Sequence, residues 1–260
     1  MDERRTHDLQ ELALKADPFT QLILLDVQSV DSTLSQLAHR KKTLPQLAEI
    51  AALGARRAEL DGRRVELSTR VSDLSGHQRR LDADVEQVRA RKQRNQQRLD
   101  SGAVGSPKDL ANLQHELVAL DRRISTLEDE ELEYMEQVEE QQAELDAVLV
   151  QLNDLEDQLA QQTSERDAAV GEIDAAAAHS LEDRERLAGD LPAPLLTAYE
   201  RVRAAHGGVG AAALVRRQCQ GCRLQLNAGD IAELAKAPPD EVLRCPECDR
   251  ILVRTAESGL

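Results

Sequence analysis

The chain has 260 residues, 41% hydrophobic and 31% charged, yet it holds one Phe, two Tyr and no Trp. That composition excludes a single large globule with an aromatic core, and the regular spacing of its Leu, Ala, Val and Ile excludes disorder. A formal net charge of −15 repels nucleic acid and anionic membrane at long range, so any such contact has to be local.

The chain opens on the polar stretch MDERRTHDLQ, and its longest early apolar run, residues 22–25, is too short for a signal-peptide core or a membrane span. A soluble, cytoplasmic protein with no membrane association is the expectation. From residue 19 the apolar spacing is helical. Ile23, Val27, Val30, Leu34, Leu37 and Leu44 form one seam, and Leu53, Leu60, Leu67, Leu74, Leu81 and Val88 recur every seven residues in another phase. The phase changes at Pro45, which lacks a backbone donor, and this predicts a kink or short break near residue 45. The other seam position of this arm is often polar, with Arg57, Arg64, Gln78 and Lys92.

Turn formers fill residues 100–106, and the helix is expected to restart at Pro107, capped by Ser106 with Asp109 in the reciprocal position. From Leu110 the 4-3 spacing runs through Leu113, Leu117, Leu120, Ile124, Leu127, Tyr134, Val138, Leu145, Val148, Leu152, Leu155 and Leu159, broken by Glu131 and Gln141. The fold class is therefore mainly α: a long antiparallel coiled-coil hairpin with arms at about 19–99 and 107–187 and a tip at 100–106, followed by a small C-terminal module whose four cysteines, Cys219, Cys222, Cys245 and Cys248, mark it as a zinc ribbon. Charge supports the pairing, because residues 40–99 hold 15 basic and 8 acidic side chains whereas 110–170 hold 3 and 17. A parallel homodimer of unbroken helices would set acidic arm against acidic arm. The carboxylates of residues 128–140 read as the solvated, arginine-facing side of the coil.

Residues 1–190 are thus assigned to the hairpin and 191–260 to a short helix plus the ribbon. The short helix passes through Tyr199 and Val202 and stops at Gly207, Gly208 and Gly210. Cys219 and Cys222 form one CxxC and Cys245 and Cys248 another, with 22 residues between the inner cysteines. Two such knuckles supply the four tetrahedral thiolates of a structural Zn2+ site, with no position left for a catalytic water. One redox disulfide needs a single CxxC, and iron–sulfur clusters use other spacings. Gly221 and Pro246 suit tight turns, residues 213–216 and 250–254 read as strands, and residues 230–236 read as a helical turn. So small a module has little core of its own, so metal binding is expected to supply much of its folding free energy.

The six histidines (His7, His39, His77, His115, His179, His206) are scattered, and neither a nucleophile elbow nor a phosphate or dinucleotide loop is present. No enzyme activity and no small-molecule substrate are expected. Two basic groups are candidate contacts for a partner or for nucleic acid: Arg89, Arg91, Lys92, Arg94 and Arg98 near the tip, and Arg216, Arg217, Arg223, Arg244, Arg250 and Arg254 on the ribbon. Acidic neighbours and a tetrathiolate leave the ribbon close to neutral, and it offers no aromatic ring for base stacking.

The order of parts resembles a bacterial family of uncharacterised proteins with an antiparallel coiled-coil hairpin and a C-terminal C4-type zinc ribbon. The resemblance rests on Cys-Gln-Gly-Cys222, on Arg-Cys-Pro-Glu-Cys248 followed by Arg250-Ile-Leu252, on the restart from Ser106 to Glu116, and on Leu25-Asp-Val-Gln28. It implies a protein-binding role. Members are often labelled nucleic-acid-binding, and some act as chaperones or adaptors in flagellar or secretion systems, including for an alternative sigma factor and a messenger RNA. Asp249 stands where a glycine commonly follows the last cysteine, and Val253 where an aromatic often closes the ribbon. The expected function is a non-enzymatic adaptor or scaffold for a protein partner in transcription, secretion or RNA handling. The alternatives are RNA binding through the basic groups, and a regulator entering the RNA polymerase secondary channel with Asp100 and Asp109 as tip acids.

Overall fold

The structure, a computed structural model, describes residues 14–102 and 104–260; the polar N-terminal stretch and His7 lie outside the described residues. Nine elements follow in order: helices α1 (Pro18–Lys42), α2 (Pro45–Asp100), α3 (Pro107–Gly189) and α4 (Ala193–Ala205), strands β1 (Ala211–Val215) and β2 (Gln218–Cys219), helix α5 (Ala228–Lys236), and strands β3 (Leu243–Arg244) and β4 (Ile251–Arg254). Local chemistry sets the helix ends. Asp17 accepts a hydrogen bond from the Phe19 N–H with Pro18 in the first turn of α1. At the other end the Thr43 N–H reaches the carbonyls of His39 and Arg40, and the next helix opens on Pro45, whose missing donor is no loss at a first helical position. Ser106 Oγ accepts from the Asp109 N–H at 3.1 Å and donates to Asp109 Oδ2 at 2.7 Å, so the cap and its reciprocal acid meet through the hydroxyl.

Packing divides the chain into two compact units, Gln46–Ser164 and a second made of Met1–Pro45 with Glu165–Leu260. In the first, α2 runs antiparallel to α3. Leu67, Val148 and Leu152 are buried together with Leu60 and Leu145 against them. The α3 seam positions named above are buried or half-buried, except Leu110, which is 40% exposed at the start of the helix. On α2 the second seam position carries Val71, Val85 and Leu99 between its polar members, and Val85 is among the most buried residues of the arm. Ion pairs cross between the arms: Arg57 with Glu156, Arg63 with Glu144, Arg89 with Glu128, Lys92 with Asp121, and Arg91 with Glu116. Apart from the neighbours Arg91 and Lys92, their order rises on α2 as it falls along α3, which is that of an antiparallel pair. All are exposed and salt-screened, so they select the partner arm more than they stabilise it. Between them His77 and Tyr134 stack with ring centroids 5.4 Å apart.

In the second unit a four-stranded sheet of order β2-β1-β4-β3 packs on helices. β1 and β4 are parallel, with Ala211 opposite Ile251 and Leu214 opposite Arg254; β2 and β3 flank them antiparallel. Side chains alternate in and out of a strand with period two, and here both faces are covered. Ala211, Ile251 and Val253 join Leu24 and Val27 of α1 and Leu195, Tyr199 and Val202 of α4 in one core. Ala212, Leu214 and Leu252 face the other way, onto Leu226, Ile231, Leu243 and the cysteines. The ribbon thus has more core than its length implies, because it shares one with α1 and α4.

Three sequence readings need correction here. The first strand is Ala211–Val215, and Arg216 has left it: Arg216 (φ 49°) and Arg217 (φ 64°) form the two-residue connection that pairs Val215 with Gln218. Two positive φ values in a two-residue hairpin define a type I′ turn. The inter-knuckle helix starts at Ala228, two residues earlier than expected, because Asn227 caps it through the Asp230 N–H. The last strand begins at Ile251, since Arg250 is used elsewhere.

Candidate metal centre and its supporting polar cluster

Each CxxC folds into the same turn. In the first knuckle the Arg223 N–H donates to the Cys219 carbonyl at 2.7 Å; in the second the Asp249 N–H donates to the Cys245 carbonyl at 2.8 Å. The residue after each second cysteine is left-handed, Arg223 at φ 61° and Asp249 at φ 57°. A Cβ in that region costs about 1–2 kcal/mol, which explains physically why glycine suits position 249. Gly221, by contrast, has no positive φ: a Cβ there would lie 2.8 Å from Arg250 Cδ and 3.0 Å from Ala212 Cβ, so it is needed for close approach. Arg223→Gly is expected to raise ribbon stability by about 0.5–1 kcal/mol, read from chelator-induced unfolding midpoints, since Arg223 makes no side-chain bond among the described residues.

The turns bring all four sulfurs within 4.8 Å of one another, with Cys222 Sγ and Cys245 Sγ 4.0 Å apart. A tetrahedral zinc with Zn–S bonds of about 2.3 Å sets sulfurs about 3.8 Å apart, so the set needs to contract by no more than about an ångström. Cys219 and Cys245 are buried, and burial pushes both thiols upward, Cys245 well above the ordinary cysteine range. The amides of Gly221 and Cys222 work against this at Cys219, and those of Glu247 and Cys248 at Cys245. At Cys248 burial also raises, but it is outweighed by the backbone N–H and side chain of Arg250 and by the neighbouring thiols, and the net direction is down. Four adjacent thiolates in so dry a site repel one another, and a divalent cation removes that repulsion. The donor set therefore fits zinc, and it is closed: four sulfurs complete the tetrahedron. Zinc here supplies cross-linking of the two knuckles.

The basic residues singled out as contacts divide into two groups. Arg89 bonds Glu86 and Glu128, Arg91 bonds Glu116, and Lys92 pairs with Asp121. The Arg91 guanidinium in turn holds the Glu116 carboxyl below the usual range. On the ribbon, Arg217 donates to the Gly259 carbonyl and Arg244 to the carbonyl and side chain of Asp249. Arg250 reaches the carbonyls of Val209 and His206, and Arg254 reaches those of Leu234, Ala237 and Pro238. These guanidiniums tie loops together. Arg94, Arg98, Arg216 and Arg223 make no side-chain hydrogen bond or ion pair among the described residues, although Arg98 still acts electrostatically on Glu116.

Sequence reasoning missed a polar cluster beneath the ribbon. Asp31 of α1 is wholly buried and bonds Arg184 of α3 at 2.6 Å, Arg203 of α4 at 3.1 Å and the Tyr199 hydroxyl at 2.6 Å. Glu200 pairs with both arginines, leaving a neutral group of two acids and two bases. Gln28, one turn before Asp31, accepts from the N–H groups of Gly210 and Ala211 and donates to the Gly208 carbonyl. A signal existed: polar Gln28 and Asp31 stand at 3- and 4-residue spacing beside Leu24 and Val27, in the middle of the apolar face.

Comparison with known proteins agrees with this arrangement. The description "CT398-like coiled coil hairpin domain" matches residues 27–207, and "C4-type zinc ribbon domain" matches residues 218–252. An uncharacterised protein of Mycobacterium tuberculosis is 38% identical over 241 residues, covering 93% of this chain and 98% of its own. One of Mycobacterium leprae is 29% identical over 225 residues, covering 86% and 96%. A solved structure from Mycobacterium smegmatis superposes with a TM-score of 0.84 at 35% identity, covering 93% of this chain and all of the other. CT398 from Chlamydia trachomatis shares the fold, with a TM-score of 0.67 at 18% identity over 91% and 98% of the two chains. With a long helical hairpin, a closed set of four thiols and these relatives, the chain belongs to the CT398-like coiled-coil hairpin family and carries a C4-type structural zinc ribbon.

Proposed function

We propose that the protein is a non-enzymatic adaptor of the reducing cytosol, in which Cys219, Cys222, Cys245 and Cys248 ligate one structural zinc and the hairpin and ribbon present surfaces to a protein partner. The observation that carries this reading is the closed thiol set: four sulfurs within 4.8 Å leave a bound metal no open position for substrate or water. Among the described residues no helix is long and apolar enough to cross a membrane. Use of the tip cations by Glu116, Asp121 and Glu128 favours a protein partner over RNA, because phosphate would have to displace carboxylates already in place. Asp100 accepts from Gln96 and Asp109 sits in a helix cap, which gives both acids a local structural use in place of a polymerase-channel role. Affinity purification from the native cell, comparing the intact protein with Cys245→Ser, tests the reading. Partner recovery is expected to fall at least about tenfold with the variant, a difference of about 1.4 kcal/mol in binding. Equal recovery would remove the ribbon from the mechanism, and a gel shift that weakens steeply with salt would transfer the reading to nucleic acid.

A further inference from the structure

A path of hydrogen bonds, connector backbone and one packed contact leads from the cysteine knuckles to the buried carboxylate of α1. Arg250 follows Cys248 by two residues, its stem packed against Gly221 of the first knuckle and its guanidinium on the carbonyls of Val209 at 3.0 Å and His206 at 3.2 Å. Both knuckles therefore fix this one side chain. The connector it grips, residues 206–211, is gripped again from the far side by Gln28. Gly210 and Ala211 donate to Gln28 Oε1 at 2.6 and 3.2 Å, and Gln28 Nε2 donates to the Gly208 carbonyl at 3.1 Å. The Tyr199 hydroxyl stands 3.2 Å from Gln28 Oε1 and 2.6 Å from Asp31 Oδ2, and with one proton to give it donates over the shorter distance. Asp31 then holds Arg184 and Arg203.

The connector contains two glycines that add little stiffness of their own. Gly207 (φ 64°) and Gly208 (φ 95°) occupy left-handed conformations that glycine enters and leaves freely, so the connector's path is set by two backbone bonds, Gly208 N–H to the Arg203 carbonyl and Ile251 N–H to the Gly210 carbonyl, and by Arg250 on one side and Gln28 on the other. Zinc loss frees the knuckles, releases Arg250, and leaves the two N–H groups on Gln28 Oε1 unsupported. Without them, Gln28 and the Tyr199 ring lose the contacts that orient them toward Asp31.

We propose that this path links zinc occupancy to the order of the hairpin base, so that metal release at the knuckles loosens the Asp31 cluster and uncovers the apolar face of α1 and α4 formed by Leu24, Val27, Leu195 and Val202. Linkage is reciprocal: whatever disorders the cluster must weaken zinc binding by the same factor. The test uses the full chain. Zinc affinity, measured by competition with a chromogenic chelator, is expected to fall at least about fivefold in Gln28→Leu and to stay within about twofold of wild type in Asp174→Asn, which removes an exposed ion pair with Lys41. Amide exchange supplies a measurement that needs no variant: adding the chelator to wild type should speed exchange at residues 28–35 and 199–203 along with the ribbon, leaving residues 46–164 unchanged. In Gln28→Leu the ribbon should still open, but residues 28–35 should exchange alike with and without zinc. Unaltered zinc affinity in Gln28→Leu, or wild-type exchange at residues 28–35 that ignores zinc, overturns the proposal. So does equal loosening of residues 46–164, since the response would then be global. Should Gln28→Leu fail to fold, the wild-type exchange result decides alone.

Discussion

Cys245→Ser is expected to leave the purified protein with less than a tenth of the wild-type zinc and to unfold β1–β4, with amide protection lost from residues 211–254 and kept through residues 46–164. Structural zinc sites contribute apparent binding free energies of about 10–16 kcal/mol, and losing even a third of that, about 3–5 kcal/mol, exceeds the margin a small module holds. Cys245 is the more damaging choice because it is 2% exposed and its sulfur lies 4.0 Å from that of Cys222, so the hydroxyl of serine would be buried against three thiols. The ligands must lose their protons to bind metal, so zinc affinity in the wild type should fall as pH falls. Elemental analysis and amide exchange check the expectation; a metal-free variant with a fully protected ribbon would show that the shared core with α1 and α4 suffices.

Asp31→Ala is expected to lower stability by about 3 kcal/mol, because it takes their shared acceptor from two guanidiniums and the Tyr199 hydroxyl together. Arg184 and Arg203 remain partly exposed and keep Glu200, which holds the cost below that of a fully buried orphan charge. Denaturant unfolding measures it, with Asp174→Ala as the exposed control at no more than about 0.5 kcal/mol. The cluster also has a pH signature. Burial first, and the Asp31 carboxylate second, push ionisation of the Tyr199 hydroxyl far above the ordinary tyrosine range. A raised folded-state pKa means that this contribution is intact below about pH 10 and drains away as pH climbs beyond it. Tyr199→Phe should flatten that alkaline decline.

The parts legible in the sequence are those where one residue type serves one purpose. Leucines at 4-3 spacing marked the α3 seam, and four cysteines in two CxxC pairs marked the metal site, because neither pattern has a common competing use. The α2 arm was harder to read: Arg64, Gln78 and Lys92 interrupt the seam position that Val71, Val85 and Leu99 occupy, and long side chains half-bury there with their heads in water. β2 escaped because its hairpin turn is Arg216-Arg217, where the usual signal would be Asn-Gly. β3 is two residues long and has no periodicity to detect. The polar cluster was hidden for a different reason. Asp31, Arg184, Arg203 and Glu200 look like surface residues of amphipathic helices until α1, α3, α4 and the ribbon converge, and nothing local distinguishes a carboxylate bound for the interior.

The parallel pairing of β1 with β4, and their joint burial on α1, bears on biosynthesis. Leu24 and Val27 leave the ribosome well before Ile251 and Val253, which cover them and are translated more than two hundred codons later. A nascent chain therefore carries an uncovered greasy helix while that intervening stretch is made, a period in which holdase chaperones or premature self-association compete for it. Truncated translation products should accordingly be sticky and short-lived, whereas those ending beyond residue 254 have every strand needed to seal the first helix.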